Sequence, residues 1–241
     1  MNSQSQKTTV GLSQINNSFS GANYLPYSVG LLQAYVEKYS SCKERFEFLR
    51  PVFKRTSVQE AVKQLVPAEV IGFSLYVWNE QISLEIIRQL KRINPNIYIV
   101  CGGPQVPDRA ELFLRNNPEI DVAVHGEGER TFFKLLEIFP SRETNQISGI
   151  SKINASGVFY SNPKADRTKD LSTIPSPYLS EVFDDLISTS DEEWLVLWET
   201  NRGCPFQCTF CDWGSAIADR VYRFAMDRIE KELDWFSKNK I

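Results

Sequence analysis

The stretch EVIGFSLYVWNEQISLEIIRQLKRINPNIYIVCGG (69–103) reads as strand, helix and strand in succession. Residues 69–78 are rich in apolar, β-branched and aromatic types, and 80–94 carry apolar residues at helical spacing. Pro95 ends that helix, since it has no N–H to donate and disfavours helical backbone just before it. Residues 97–103 return to a strand pattern that finishes on two glycines. Strands joined by a helix of this length pair in parallel.

The alternation extends to both sides. TTVGLSQI (8–15) reads as a strand, and PYSVGLLQAYVEKYS (26–40) as a helix with Pro26 near its first turn. FEFLRPVF (46–53) is a second strand, and Pro51 marks it as an edge. SVQEAVKQLV (57–66) opens with Ser57 and Glu60 in a capping-box pattern. A helix over 108–116, a strand at DVAVHGEGE (121–129) and a helix over 130–138 complete the series. Strands alternating with helices predict an α/β fold with a doubly wound, mainly parallel sheet. Ligands of such sheets lie beyond the carboxyl ends of the strands, here 13–21, 74–79, 102–104 and 126–128.

Further along, ISGISKINASGVFYSNP (147–163) looks like a hairpin turning around 154–157, and DLSTIPSPYL (170–179) reads as a linker. EWLVLWE (193–199) is a strand, 201–214 a loop and MDRIEKELDWFSKNK (226–240) a helix. The expected units are an α/β domain over 1–145, a hairpin and linker over 146–190, and a second domain beginning at 191.

Composition narrows the function. The 27 basic and 30 acidic residues give a net charge of −3, which supplies no field to attract nucleic acid. No apolar run approaches the roughly 18–20 residues needed to span a bilayer. The polar start MNSQSQKTT lacks the apolar core of a secretory signal, so a cytoplasmic location is expected. Thiols stay reduced there, and five cysteines, an odd number with three clustered, favour metal binding over disulfides.

Those three are Cys204, Cys208 and Cys211 in ETNRGCPFQCTFCDWG (199–214). Three thiolates hold three irons of a [4Fe–4S] cube and leave the fourth open for a ligand, whereas a cluster used only for electron transfer usually takes four cysteines. Gly203 and Pro205 favour a turn at the first ligand. Buried packing thiols would sit in a periodic core, and structural zinc would want a fourth ligand. The single histidine, His125, lies far away in the chain.

CPFQCTFC, with Phe210 just before the last cysteine, resembles the Cx3Cx2C signature of radical S-adenosylmethionine (SAM) enzymes. The upstream segments GFSLYVWN, VCGGPQVP and DVAVHGEGERTF resemble the cobalamin-binding domain of that superfamily's cobalamin-dependent branch, and IPSPYL fits the same branch. The resemblance implies a Rossmann-like cobalamin-binding domain followed by the first β/α unit of a partial TIM barrel. It implies Cys204, Cys208 and Cys211 as cluster ligands, Phe210 near the adenine of SAM, and Trp213 in its neighbourhood. Arg202 would favour the more negative reduced cluster or stand as a surface cation.

On the α/β side, Ser74 and Tyr76 are expected to share one strand face, with Gly102, Gly103, Gly126, Glu127 and Gly128 at neighbouring strand ends, all as cobalamin contacts. No G-x-G-x-x-G follows the first strand, which disfavours a dinucleotide. The D-x-H-x-x-G motif is absent too, since residue 123 is alanine, so cobalamin is expected without a histidine on cobalt. His125 is then a supporting or surface residue, Cys101 a core thiol and Cys42 incidental. Asp121, Glu127 and Glu129 read as charged turn residues rather than an acid/base set.

The resemblance implies a methyltransferase that cleaves SAM reductively, generates a 5′-deoxyadenosyl radical and moves a methyl group from methylcobalamin to an unactivated carbon. A small-molecule substrate and an external electron donor are the implied partners, with no nucleic acid or membrane. Only one β/α unit follows the linker, so the last 50 or so residues are expected to lack support, and a non-catalytic cofactor-binding module is the alternative.

Overall fold

The computed structural model describes residues 7–206, 208–211 and 220–241. Its strands and helices are β1 (Thr8–Asn16), β2 (Asn23–Tyr24), α1 (Tyr27–Tyr39), β3 (Phe46–Phe48), β4 (Val52–Lys54), α2 (Val58–Leu65), β5 (Val70–Ser74), α3 (Glu80–Ile93), β6 (Tyr98–Gly102), α4 (Glu111–Asn116), β7 (Val122–Val124) and α5 (Gly128–Glu137). Then come β8 (Ile150–Ile153), β9 (Phe159–Ser161), α6 (Asp184–Ser188), β10 (Trp194–Leu195), β11 (Asn201–Arg202), β12 (Tyr222–Arg223) and α7 (Met226–Lys238).

The main sheet runs β3-β1-β5-β6-β7-β8-β9, with β4 also on β1. Pairing is parallel as far as β7 and antiparallel beyond it. Alternation sorts the central strands into two cores. Ile71, Phe73, Ile99 and Cys101 face α2, α3 and α4. Val70, Tyr98, Val100 and Val122 face α1 and α5. With helices on both faces the middle strands read as continuous apolar runs, as parallel strands do.

Local signals work where expected. The segment 46–53 lies on the outer edge of β1 as Pro51 implied, but it is two short strands, β3 and β4, rather than one. Ser57 and Glu60 form the reciprocal capping box of α2. Elsewhere tertiary contacts override the pattern. The run 69–78 is a strand only as far as Ser74, because the Tyr76 N–H turns to Asn79 Oδ1 and the Asn79 amide donates to the Ile15 and Ser74 carbonyls. Ser74 and Tyr76 therefore share no strand face.

The 150–161 hairpin extends the main sheet along the edge of β7. The Pro- and Ser-rich segment 170–179 is no free linker, since Leu171, Ile174 and Tyr178 are buried in it. The terminal segment is also better supported than expected. β10 pairs in parallel with β2, and Trp194 and Phe236 close an apolar cluster with Tyr178, Phe183, Leu25 and Phe53. Apolar burial against the α/β unit thus replaces the support expected from further barrel strands.

Candidate functional site along the strand ends and the cysteine loop

At the end of β1, Gln14 Oε1 accepts from the backbone N–H groups of Ser28 (2.8 Å) and Val29 (3.4 Å). This caps α1, whose N-cap is Pro26 and which has no local side-chain cap. With its oxygen so used, Gln14 presents Nε2, which is buried without a partner, as is Asn16 Nδ2 on the same strand face; Ser13 Oγ, also unpaired, lies on the opposite face. Buried polar atoms are nearly always paired, so the two amide donors on one face of this strand end are open to an acceptor from a ligand or from water. Asn16 also lines a polar cavity of about 310 Å³ with Asn17, Ser18, Asn23, Lys54 and Arg55.

Past β5, Tyr76 OH lies 2.7 Å from Ser28 Oγ, and its ring stacks on Trp78 at 4.6 Å. Val77 and Trp78 stand exposed beside them. Past β6, Gly103 adopts φ +100°, and a Cβ there would fall 2.6 Å from the Leu75 carbonyl oxygen. Two chain turns meet at van der Waals contact, which only glycine permits. Past β7, Gly126 has φ +72° with open space where a Cβ would be, and Gly128 starts α5.

Ser74, Tyr76, Gly102, Gly103, Gly126, Glu127 and Gly128 thus lie at the ends of three adjacent strands. Gln14, Asn16, Trp78 and Asn79 fall within the expected strand-end ranges 13–21 and 74–79, but none is singled out by the sequence alone. Among these, only the polar run SQINN at the end of an apolar strand carried a signal.

Glu127 is already engaged. Its Oε2 accepts from the Thr168 N–H (2.7 Å), and its carboxylate lies 3.6 Å from Arg167 Nε and 3.8 Å from Arg202 Nη1. Asp121 sits at the opposite end of β7, bound by Lys91 Nζ and the Ile99 N–H at 2.7 Å each, so Asp121, Glu127 and Glu129 form no acid/base set. His125 pairs with Ser151 Oγ at 2.8 Å, and burial, with Lys164 adding to it against Asp108, holds its pKa below the usual value. The Cys101 thiol is buried, which pushes its pKa up, and Cys42 is exposed.

The cysteine loop leaves β11. Gly203, at φ +103°, passes so close to the returning chain that a Cβ would lie 2.3 Å from the Arg220 carbonyl oxygen. Cys204, Cys208 and Cys211 are free thiols, and the Cys211 N–H closes a turn on the Cys208 carbonyl at 3.0 Å. Among the described residues, no three His, Cys, Asp or Glu side chains converge around a single ion. Three uncommitted thiols on one loop suit an iron–sulfur cluster by donor chemistry. Phe210 is 91% exposed on this loop. Trp213 lies outside the described residues.

Arg202 lies at the root of this loop. It is only 9% exposed, not a surface cation. Its Nη2 donates to Glu129 Oε1 (2.5 Å) and Glu199 Oε2 (3.0 Å), and its Nε to Glu199 Oε1 (3.0 Å). Burial opposes its charge, but Glu129 and Glu199 outweigh that and raise its pKa. Glu199 also accepts from Tyr27 OH at 2.9 Å, and burial followed by the Glu199 charge raises the pKa of that phenol.

Residues 3–136 match the B12 binding domain family. The chain is 37% identical over 223 residues to the cobalamin-dependent radical SAM methyltransferase TokK of Streptomyces tokunonensis, covering 90% of this chain and 33% of that protein. It is 36% identical, with the same coverage, to 2-(S-pantetheinyl)-carbapenam-3-carboxylate methyltransferase of Streptantibioticus cattleyicolor. The chain therefore spans about a third of the length of these curated relatives. In fold it resembles the cobalamin-dependent SAM radical enzyme OxsB with aqua-cobalamin and SAM bound, at a TM-score of 0.75 and 21% identity over 95% of this chain and 31% of that one. Such a match between a mainly parallel sheet, a crest of glycines and orphaned donors, and a sequence model that covers them leaves one conclusion: the chain belongs to the B12-binding domain family.

Proposed function

We propose that this chain is the cofactor-holding part of a cobalamin-dependent radical SAM methyltransferase that acts on an unactivated carbon of a small molecule. The observation that carries the reading is the Cx3Cx2C loop of free thiols leaving β11 beside a B12-binding unit. The kinship with named radical SAM methyltransferases supports it. Together the bound groups would supply reductive cleavage of a C–S bond and a transferable methyl group.

Each residue then has a defined task. Cys204, Cys208 and Cys211 would hold a [4Fe–4S] cluster that, with SAM, would supply the reductive C–S cleavage. Phe210 offers its exposed ring to the adenine. Gly102, Gly103, Gly126 and Gly128 keep the strand ends low enough for a flat macrocycle to approach. Ser74 and Tyr76 border that surface, while Gln14 and Asn16 donate to acceptors on its periphery. Glu127 holds the Thr168 N–H through Oε2 and keeps Oε1 without a hydrogen-bond partner. Electrons come from an external donor. Among the described residues, no helix is long and apolar enough to cross a membrane.

The test is oxygen-free reconstitution of the chain with iron, sulfide and hydroxocobalamin. The reading expects about four irons and four sulfides per chain, retained cobalamin, and an EPR signal of the reduced cluster that changes when SAM is added. A single tetrahedral zinc, or bound iron without inorganic sulfide, would refute it.

A further inference from the structure

We infer that Arg202 is a positioning residue that seats the cysteine loop on the strand-end edge and so fixes the separation of the two cofactor sites. The inference rests on the functional reading above and deepens it.

Arg202 stands two residues before Cys204, on the strand that delivers the loop. Its partners come from two places. Glu199 belongs to the same segment, whereas Glu129 lies in the first turn of α5, directly after the Gly126–Gly128 turn at the end of β7. Glu127, the N-cap of α5, approaches from the same side at 3.8 Å. The planar guanidinium thus bridges the loop's root and one wall of the candidate cobalamin surface.

A second tie runs from Glu199 to Tyr27, the first residue of α1. The next residue, Ser28, bonds Tyr76 through its hydroxyl and Gln14 through its N–H. One polar chain therefore links the ends of β1 and β5 to Glu199, Arg202 and Glu129. A buried charge cluster is a poor source of net stability, since desolvation offsets most of its attraction. A fork held at Nε and Nη2 instead sets distance and angle, which an apolar contact or a lysine ammonium does not.

The full chain, loaded with both a [4Fe–4S] cluster and hydroxocobalamin and then reduced, carries two unpaired spins. Pulsed EPR reads their separation. The wild type is expected to show one narrow distance distribution. Arg202→Met, with both cofactors present by absorbance, is expected to widen that distribution at least twofold, and Arg202→Lys to leave it wide. Glu199→Gln keeps the shape of the cluster and tests the same claim if Arg202→Met does not fold. An unchanged distribution in a variant that holds both cofactors overturns this inference alone. Wild-type protein that binds neither group, or only one, overturns the functional reading and this inference with it.

Discussion

Replacing Gly103 by alanine tests whether the strand-end edge is built on backbone contact. The new Cβ would lie 2.6 Å from the Leu75 carbonyl oxygen and 2.8 Å from its nitrogen, at φ +100°. Neither atom is free to retreat, because the Leu75 N–H donates to the Gly102 carbonyl (2.7 Å) and the Leu75 carbonyl accepts from Gln105 (3.2 Å). Left-handed strain costs about 1–2 kcal/mol. Losing the two backbone hydrogen bonds adds about 1–3 kcal/mol at about 0.5–1.5 each. The sum, roughly 2–5 kcal/mol, is a large share of a typical stability of about 5–15 kcal/mol. At about 2–4 °C per kcal/mol for a chain of this size, melting falls by roughly 4–20 °C. Urea unfolding measures the loss directly, with a lower midpoint and an unchanged slope. Gly102→Ala is the control. Its Cβ meets Val124 at an ordinary 3.7 Å, so stability should hold while cobalamin retention falls. A Gly103→Ala protein within about 1 kcal/mol of wild type would refute the close-contact argument, since that is less than the strain alone.

Other substitutions separate packing from ligand binding. Gln14→Leu loses the α1 cap, about 0.5–2 kcal/mol, but also removes a buried unpaired donor worth about 1–3 kcal/mol. Apo stability should barely change while cobalamin binding, followed by absorbance titration, weakens about tenfold, the worth of one hydrogen bond near 1.4 kcal/mol. Alanine at Cys204, Cys208 and Cys211 together should abolish iron and sulfide uptake on metal analysis and leave hydroxocobalamin retention intact. Gly30→Ala would place a Cβ 2.3 Å from the buried Phe183 ring and should cost about 1–3 kcal/mol as overpacking. Phe183→Leu in the same protein should recover part of it, read from urea midpoints. His125 is held neutral by burial, so the stability it contributes is complete above its ordinary pKa of about 6.5 and is lost as pH falls through the lower folded value. Between pH 7 and 5, His125→Gln should show a flatter fall in urea midpoint than wild type, and parallel curves would count against that burial.

The elements legible in the sequence are those whose cause is local. Helix α3 could be read from its own spacing and Pro95, α2 from Ser57 and Glu60, and the edge position of 46–53 from Pro51, though not its division into β3 and β4. The misreadings share a different cause. β5 stops at Ser74 because Asn79 reaches back to β1 as well as β5, and no pattern in 69–78 encodes a contact with the Ile15 carbonyl. Tyr178 reads as part of a linker because its neighbours are prolines and serines. Its burial depends on Phe236, 58 residues later, whose ring it meets edge-on at 4.9 Å. The candidate site divides the same way. The cysteines and glycines announce themselves by type and spacing, whereas Gln14 and Arg202 are ordinary polar residues whose tasks are set by partners from elsewhere in the chain.

The charge balance around Arg202 also explains why the cluster survives burial at all. Three carboxylates, Glu127, Glu129 and Glu199, crowd one guanidinium, and Arg167 adds a cation only at 3.6 Å from Glu127. Charge pairing alone would leave an uncompensated negative site. Glu127 and Glu129, however, stand at the N-cap and in the first turn of α5, where unpaired N–H groups and the helix dipole favour negative charge. Glu199 is met by the hydroxyl of Tyr27 in the first turn of α1. Two helix starts therefore carry part of the compensation, and both belong to the strand-end edge.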